Sequence, residues 1–237
     1  MRKIKFVKEK IIVALDVETD SEAREIVGEL REEVGAFKIG LQLFTSAGSS
    51  FVKELVESGV KIFLDVKFHD IPNTVAKASI EVARLGVWMF NIHALGGGEM
   101  ISNTVAAVSE VCERENLPKP KIIGVTILTS SNQETLNQIG IEKEITSQVL
   151  NLAQVSAKYG LDGVVASPLE TNLIRNEIDK DFLIVTPGIR PKLETKDDQK
   201  RVMTAKEAVE NGSDYVVIGR PILKAKDRLV AVRQIFN

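Results

Sequence analysis

Short runs of Val, Ile, Leu and Phe recur along the chain, each followed by a longer stretch whose apolar residues fall at helical spacing. The runs are IIVALD (Ile11 to Asp16), AFKIG (Ala36 to Gly40), KIFLDVK (Lys61 to Lys67) and VWMFNIH (Val87 to His93) in the first half. KIIGVT (Lys121 to Thr126), GVVAS (Gly163 to Ser167), FLIVTP (Phe182 to Pro187) and YVVIG (Tyr215 to Gly219) complete the series. The intervening stretches carry helix signals. Thr19-Asp20-Ser21-Glu22 reads as a capping box, Asn73-Thr74 as a cap for VAKASIEVARL, and Gly59, Gly86, Gly160 and Gly212 stand where helices should stop. Strand-then-helix alternation predicts parallel strands joined by right-handed crossovers. Eight such units close most economically into an α/β (β/α)8 TIM barrel. An open doubly wound sheet would be expected to carry a G-x-G-x-x-G or G-x-x-x-x-G-K-[ST] loop, and neither motif occurs.

The overall composition fits one such domain spanning residues 1–237. A hydrophobic fraction of 44% supplies a core, and 27% charged residues with a net charge of −2 form no long block of one sign. A charge so near zero argues against a nucleic-acid partner. The basic start, Met1 to Lys10, is followed by only a short apolar run before Asp16, so neither a signal peptide nor a membrane span is expected. The single Cys112 rules out an internal disulfide and reads as a small packed side chain in a reducing, cytoplasmic setting.

Barrel chemistry belongs at the C-terminal ends of the strands, and here those ends are polar. Asp16, Lys38, Asp65 with Lys67, and Asn91 with His93 end the first four strands; Thr126 with Thr129, Ser167, Arg190 and Arg220 end or follow the last four. Alternation puts Phe63, Asp65 and Lys67 on one face and Ile62, Leu64 and Val66 on the other. The aliphatic face should meet helices, which aims Asp65 and Lys67 into the barrel mouth beside Asp16 and Lys38. A purely structural pair of ion pairs is the plain alternative, but buried charges contribute weakly to stability. Near the last two strands, Gly188-Ile189-Arg190 and Gly219-Arg220-Pro221 set glycines beside arginines, the second as a helix begins at Pro221. This composition suits a phosphorylated substrate. His69 and His93, the only histidines, make a poor metal site, and His93 reads as a hydrogen-bonded rim residue.

Asp65-Val66-Lys67-Phe68-His69-Asp70-Ile71-Pro72-Asn73-Thr74 closely resembles the D-x-K-x-x-D-I-P-N-T signature of the orotidine 5′-phosphate decarboxylase family. Segments along the whole chain share the likeness: Ala14 to Asp16, Phe37 to Gly40, Asn91 to Ala94, Leu128 to Ser130, Thr186 to Arg190, Asp197 to Arg201 and Ile218 to Ile222. The resemblance implies cofactor-independent loss of CO2 from orotidine 5′-phosphate to give UMP, the last step of UMP synthesis. It makes Lys67 the proton donor to C6, Asp65 the carboxylate beside the leaving carboxylate, and Lys38 a ribose contact completing the array. Asp70 is implied to reach the active site of the partner subunit in a homodimer. Asp16 resembles a ribose contact and Thr129 a contact near the base; Ile71, Thr74 and Pro187 are implied substrate neighbours. Gln199, Gly219, Arg220 and Arg190 resemble the phosphate grip, with Lys192 to Arg201 as a lid. Trp88, where relatives often have a small or acidic residue, is expected to face outward with Phe90. The nearest alternative is a Mg-dependent phosphosugar decarboxylase or aldolase of the same barrel suprafamily.

Overall fold

The computed structural model describes residues 8–190 and 203–236. The apolar runs become β1 (Ile11–Ala14), β2 (Ala36–Gly40), β3 (Ile62–Phe68), β4 (Met89–His93), β5 (Lys121–Val125), β6 (Gly163–Val165), β7 (Leu183–Thr186) and β8 (Tyr215–Ile218). They pair in chain order as a closed parallel barrel. Pairing of β1 with β8, Ile12 opposite Val217, closes the ring and excludes the open sheet.

Around it stand α1 (Asp20–Leu30), α2 (Leu41–Glu57), α3 (Pro72–Arg84), α4 (Gly97–Glu115), α5 (Gln133–Gln138), α6 (Ile145–Lys158) and α7 (Thr171–Glu177). The series ends with α8 (Ala205–Glu210), α9 (Arg220–Leu223) and α10 (Arg228–Gln234). No helix among the described residues is long and apolar enough to cross a membrane.

Strand alternation divides the core into two layers. Ile12, Ala14, Ala36, Phe63, Met89, Ile123, Val185 and Val217 pack together inside the barrel. Their neighbours of opposite parity, including Ile11, Val13, Phe37, Ile39, Ile62, Leu64 and Phe90, pack outward with the helices. Cys112 is buried on α4 as anticipated.

The helix ends are partly as read. Thr19 caps α1 by accepting the Glu22 N–H at 3.2 Å, and all four stop glycines adopt φ between 76° and 106°, a region closed to most other residues. Asn73 and Thr74, however, do not cap α3. The helix starts at Pro72, with Ile71 as its N-cap, because proline's fixed φ and missing N–H favour the first helical position. Likewise α9 begins at Arg220, one residue before Pro221.

Trp88 also departs from expectation. It precedes β4, where strand alternation does not govern direction, and packs against the inner cluster rather than outward with Phe90. Its ring meets Tyr215 edge-on at 5.1 Å, with the Lys61 ammonium 5.6 Å from its centroid. This aromatic pair closes the N-terminal end of the barrel.

Candidate active site

At the opposite end, β1, β2 and β3 present their inward positions side by side, and the register sets Lys38 opposite Phe63. The result is a ladder of alternating charge. Lys38 Nζ lies 3.1 Å from Asp16 Oδ1 and 3.3 Å from Asp65 Oδ2, while Lys67 Nζ lies 2.6 Å from Asp65 Oδ1. The Lys38 and Asp65 side chains retain only 10% and 13% of their exposure, against 56% for Asp16, so the middle of the ladder is buried and its first rung meets solvent.

Burial by itself would push the Asp65 carboxyl up, but Lys38 and Lys67 hold it below its ordinary range. Burial would likewise push Lys38 down, yet Asp65 and Asp16 keep its ammonium above the ordinary value. Both central groups are therefore charged at neutral pH. Close packing reserves this room: a Cβ on Gly40 would stand 3.0 Å from Lys38 Nζ, and one on Gly219 3.2 Å from Asp16 Oδ2.

The backbone at Lys67 is exceptional. Its φ is +54°, a left-handed value that non-glycine residues seldom adopt. Here β3 advances from Leu64 to Phe68 while β4 advances only from Phe90 to Ile92, the signature of a bulge. Lys67 N–H donates instead to Asn91 Oδ1 at 2.8 Å, and Asn91 Nδ2 donates to Asp65 Oδ1 at 2.6 Å.

The ladder faces a cavity of about 240 Å³ with an apolar floor that includes Phe63, Val125 and Val217. Asp16, Lys38, Asp65 and Lys67 line it together with Thr129, Pro187, Arg190, Gly219 and Arg220. Gly188, at φ +84°, turns the chain after β7, and Arg190 N–H donates to Met203 O at 3.0 Å. Two guanidinium-bearing loops thus line the same cavity as two ammonium groups.

Asp70, Ile71 and Thr74 lie instead on the exposed rim. Asp70 Oδ1 accepts its neighbour Ile71 N–H at 2.7 Å. Gln199 and the proposed lid, Lys192 to Arg201, fall outside the described residues. His93 differs from its reading as a hydrogen-bonded rim residue. Its buried Nδ1 has no hydrogen-bond partner among the described residues; the ring packs beside that of His69, 5.3 Å between centroids and tilted by 38°.

The profile of the Orotidine 5′-phosphate decarboxylase / HUMPS family matches residues 9–235. The chain belongs to this family. Among relatives of the orotidine 5′-phosphate decarboxylase / HUMPS family, the orotidine 5′-phosphate decarboxylase of Geobacter sulfurreducens is 51% identical over 230 residues, covering 97% of this chain and 95% of its own. That of Syntrophotalea carbinolica is 50% identical over 229 residues, covering 96% and 93%. The crystal structure of orotidine 5′-phosphate decarboxylase from Lactobacillus acidophilus superposes with a TM-score of 0.83 at 38% identity, covering 96% of this chain and 98% of that one.

Within this family member, sequence reasoning placed Asn91 on the rim but gave it no task. Its signal was available: Asn91 has the inward parity of Met89 on β4, the strand next to Lys67. The bulge that brings the two together leaves no mark in a pattern of alternation.

Proposed function

We propose that the protein decarboxylates orotidine 5′-phosphate to UMP and CO2 as a cofactor-independent carboxy-lyase of pyrimidine biosynthesis, with Lys67 delivering the proton to C6. The observation that carries this reading is the Asp65–Lys67 contact of 2.6 Å inside a cavity that Arg190 and Arg220 also line. Breaking the bond from C6 to its carboxylate leaves the electron pair on C6, in the ring plane, where the pyrimidine cannot delocalise it. A positive group fixed at that carbon stabilises the developing charge. Lys67 then gives C6 its proton as CO2 departs.

Asp65 holds Lys67 in place and stands beside the leaving carboxylate. Lys38 and Asp16 take the ribose, Thr129 the base, and Pro187, Gly219, Arg190 and Arg220 the phosphate, with Gln199 joining the grip. Both cavity carboxylates already have lysine partners, which favours this reading over a Mg-dependent phosphosugar enzyme, whose metal would need those oxygens. One charge contact at 4 Å and an effective dielectric of 20 is worth about 4 kcal/mol, whereas enzymes lower barriers by up to about 23 kcal/mol. Lys67 alone is therefore insufficient. Binding energy at the remote phosphate must hold the reacting end against the array.

The working unit in this reading is a cytoplasmic homodimer in which Asp70, Ile71 and Thr74 complete the partner's site. Leu41, Ile71, Leu95, Leu128 and Leu169 support it: each is an exposed apolar residue, from 39% to 66% accessible, and each follows a strand at the catalytic rim. Such a concentration of apolar surface suits a protein interface.

The purified protein should consume orotidine 5′-phosphate in the presence of EDTA, followed as loss of orotate absorbance, and Lys67→Ala should abolish turnover without loss of fold by circular dichroism. No turnover by the native chain, or turnover that EDTA removes, would overturn the assignment.

A further inference from the structure

We infer that Asn91 is a positioning residue that fixes Lys67 and Asp65 together by occupying the gap the β3 bulge opens. The inference rests on the proposed decarboxylation for its kinetic consequence but not for its geometry. A bulge leaves a strand N–H without its ladder acceptor, and a buried N–H so stranded is costly. At Lys67 that donor is taken by Asn91 Oδ1 at 2.8 Å. A backbone N–H can only donate, so the amide oxygen must face Lys67 and the amide nitrogen Asp65, where it donates at 2.6 Å. The amide orientation is thus dictated by its two partners.

The bonds form a closed circuit. Lys67 N–H binds Asn91, Asn91 binds Asp65 Oδ1, and the same oxygen accepts Lys67 Nζ at 2.6 Å. Asn91 is fully buried, and both of these bonds are spent on the two residues of the ladder. Space filling does not require this, since Phe63 and Met89 fill the adjoining inward positions with carbon. What an apolar residue could not do is stabilise φ +54° at Lys67 while setting the rotation of the Asp65 carboxylate.

Misplacing a reacting group by about 1 Å costs roughly 100-fold in rate. Asn91→Ala should therefore lower kcat by roughly that factor and leave UMP affinity within about threefold, because the three bonds join only Lys67, Asn91 and Asp65 and none involves Arg190 or Arg220. Asn91→Asp keeps the size and the acceptor for Lys67 N–H but sets a carboxylate against Asp65. Protonation restores a donor, so its kcat relative to the native enzyme should rise as pH falls from about 8 to about 5. Crystal structures give a reading that needs no substrate: in Asn91→Ala, Lys67 should leave the left-handed region and its Nζ should separate from Asp65. A Lys67 that stays in place, a native kcat, or a pH-independent ratio for Asn91→Asp would overturn the inference. Absence of turnover in the native chain would overturn the proposed function alone.

Discussion

Beside Lys67, the rings of His69 and His93 face one another, and His93 gains no hydrogen bond at Nδ1 from the described residues. Burial, followed by the positive neighbours His69 and Lys67, pushes the His93 imidazole below its ordinary value; Asp65 opposes this weakly. The unfolded chain then binds that proton more readily than the folded one, so stability is full above about pH 6.5 and falls as pH drops toward the folded value. Denaturant midpoints measured across this window should fall on acidification, and His93→Gln should flatten the dependence. Residues of this kind mark where sequence reading reaches its limit. The facing of Asp16, Lys38 and Asp65 follows from period-two alternation and was legible. The left-handed Lys67 and the role of Asn91 were not, since a bulge breaks alternation without any change in residue type. Trp88 was misplaced for a related reason, lying just before the strand whose parity was applied to it.

Elements are held in register at the non-catalytic end by carboxylates just before two strands. Asp162 accepts the Ile122 N–H at 2.7 Å and Asp214 the Ile184 N–H at 2.9 Å, so each ties its own strand to the start of its neighbour. Asp214 is in turn bound by Arg175 of α7 at 2.6 Å, and Arg175 also donates to the Gly212 and Phe182 carbonyls. Arg175→Ala strands several half-buried acceptors at once and should cost about 2 kcal/mol. In thermal melts this should appear as a Tm lowered by roughly 5 °C, with kcat per folded molecule unchanged because these groups lie at the opposite end from the cavity. The strands themselves were readable from their Val and Ile content, while these clamps depend on which residues the closed ring makes neighbours. Helix starts were read less well than stops: glycine leaves few choices, whereas Pro72 competed with Asn73 and Thr74 and won by its fixed φ.

For the molecule as a whole, a shared site has a countable consequence. If Asp70 serves the partner's cavity, Lys67→Ala and Asp70→Ala should each be inactive, yet dimers mixed from the two should regain about a quarter of native activity, since one site in each heterodimer is intact. Recovery on mixing would be read by the same loss of orotate absorbance, and its absence would place Asp70 in its own subunit's site or in none. The barrel and its rim were evident from the eightfold pattern, but the leucines and isoleucine left exposed at that rim become apparent only once the chain is folded. The charge ladder described above carries one more implication. Its two aspartates and two lysines cancel, and an Asp70 from the partner would tip the sum to negative. The ladder therefore offers no long-range pull to an anion in bulk water; in the proposed reading that falls to Arg190 and Arg220, which line the same cavity. Ionic strength, which screens charges over about 8 Å at physiological salt, then governs the encounter with the phosphomonoester and leaves the carbon chemistry within the closed array to proceed at its own rate.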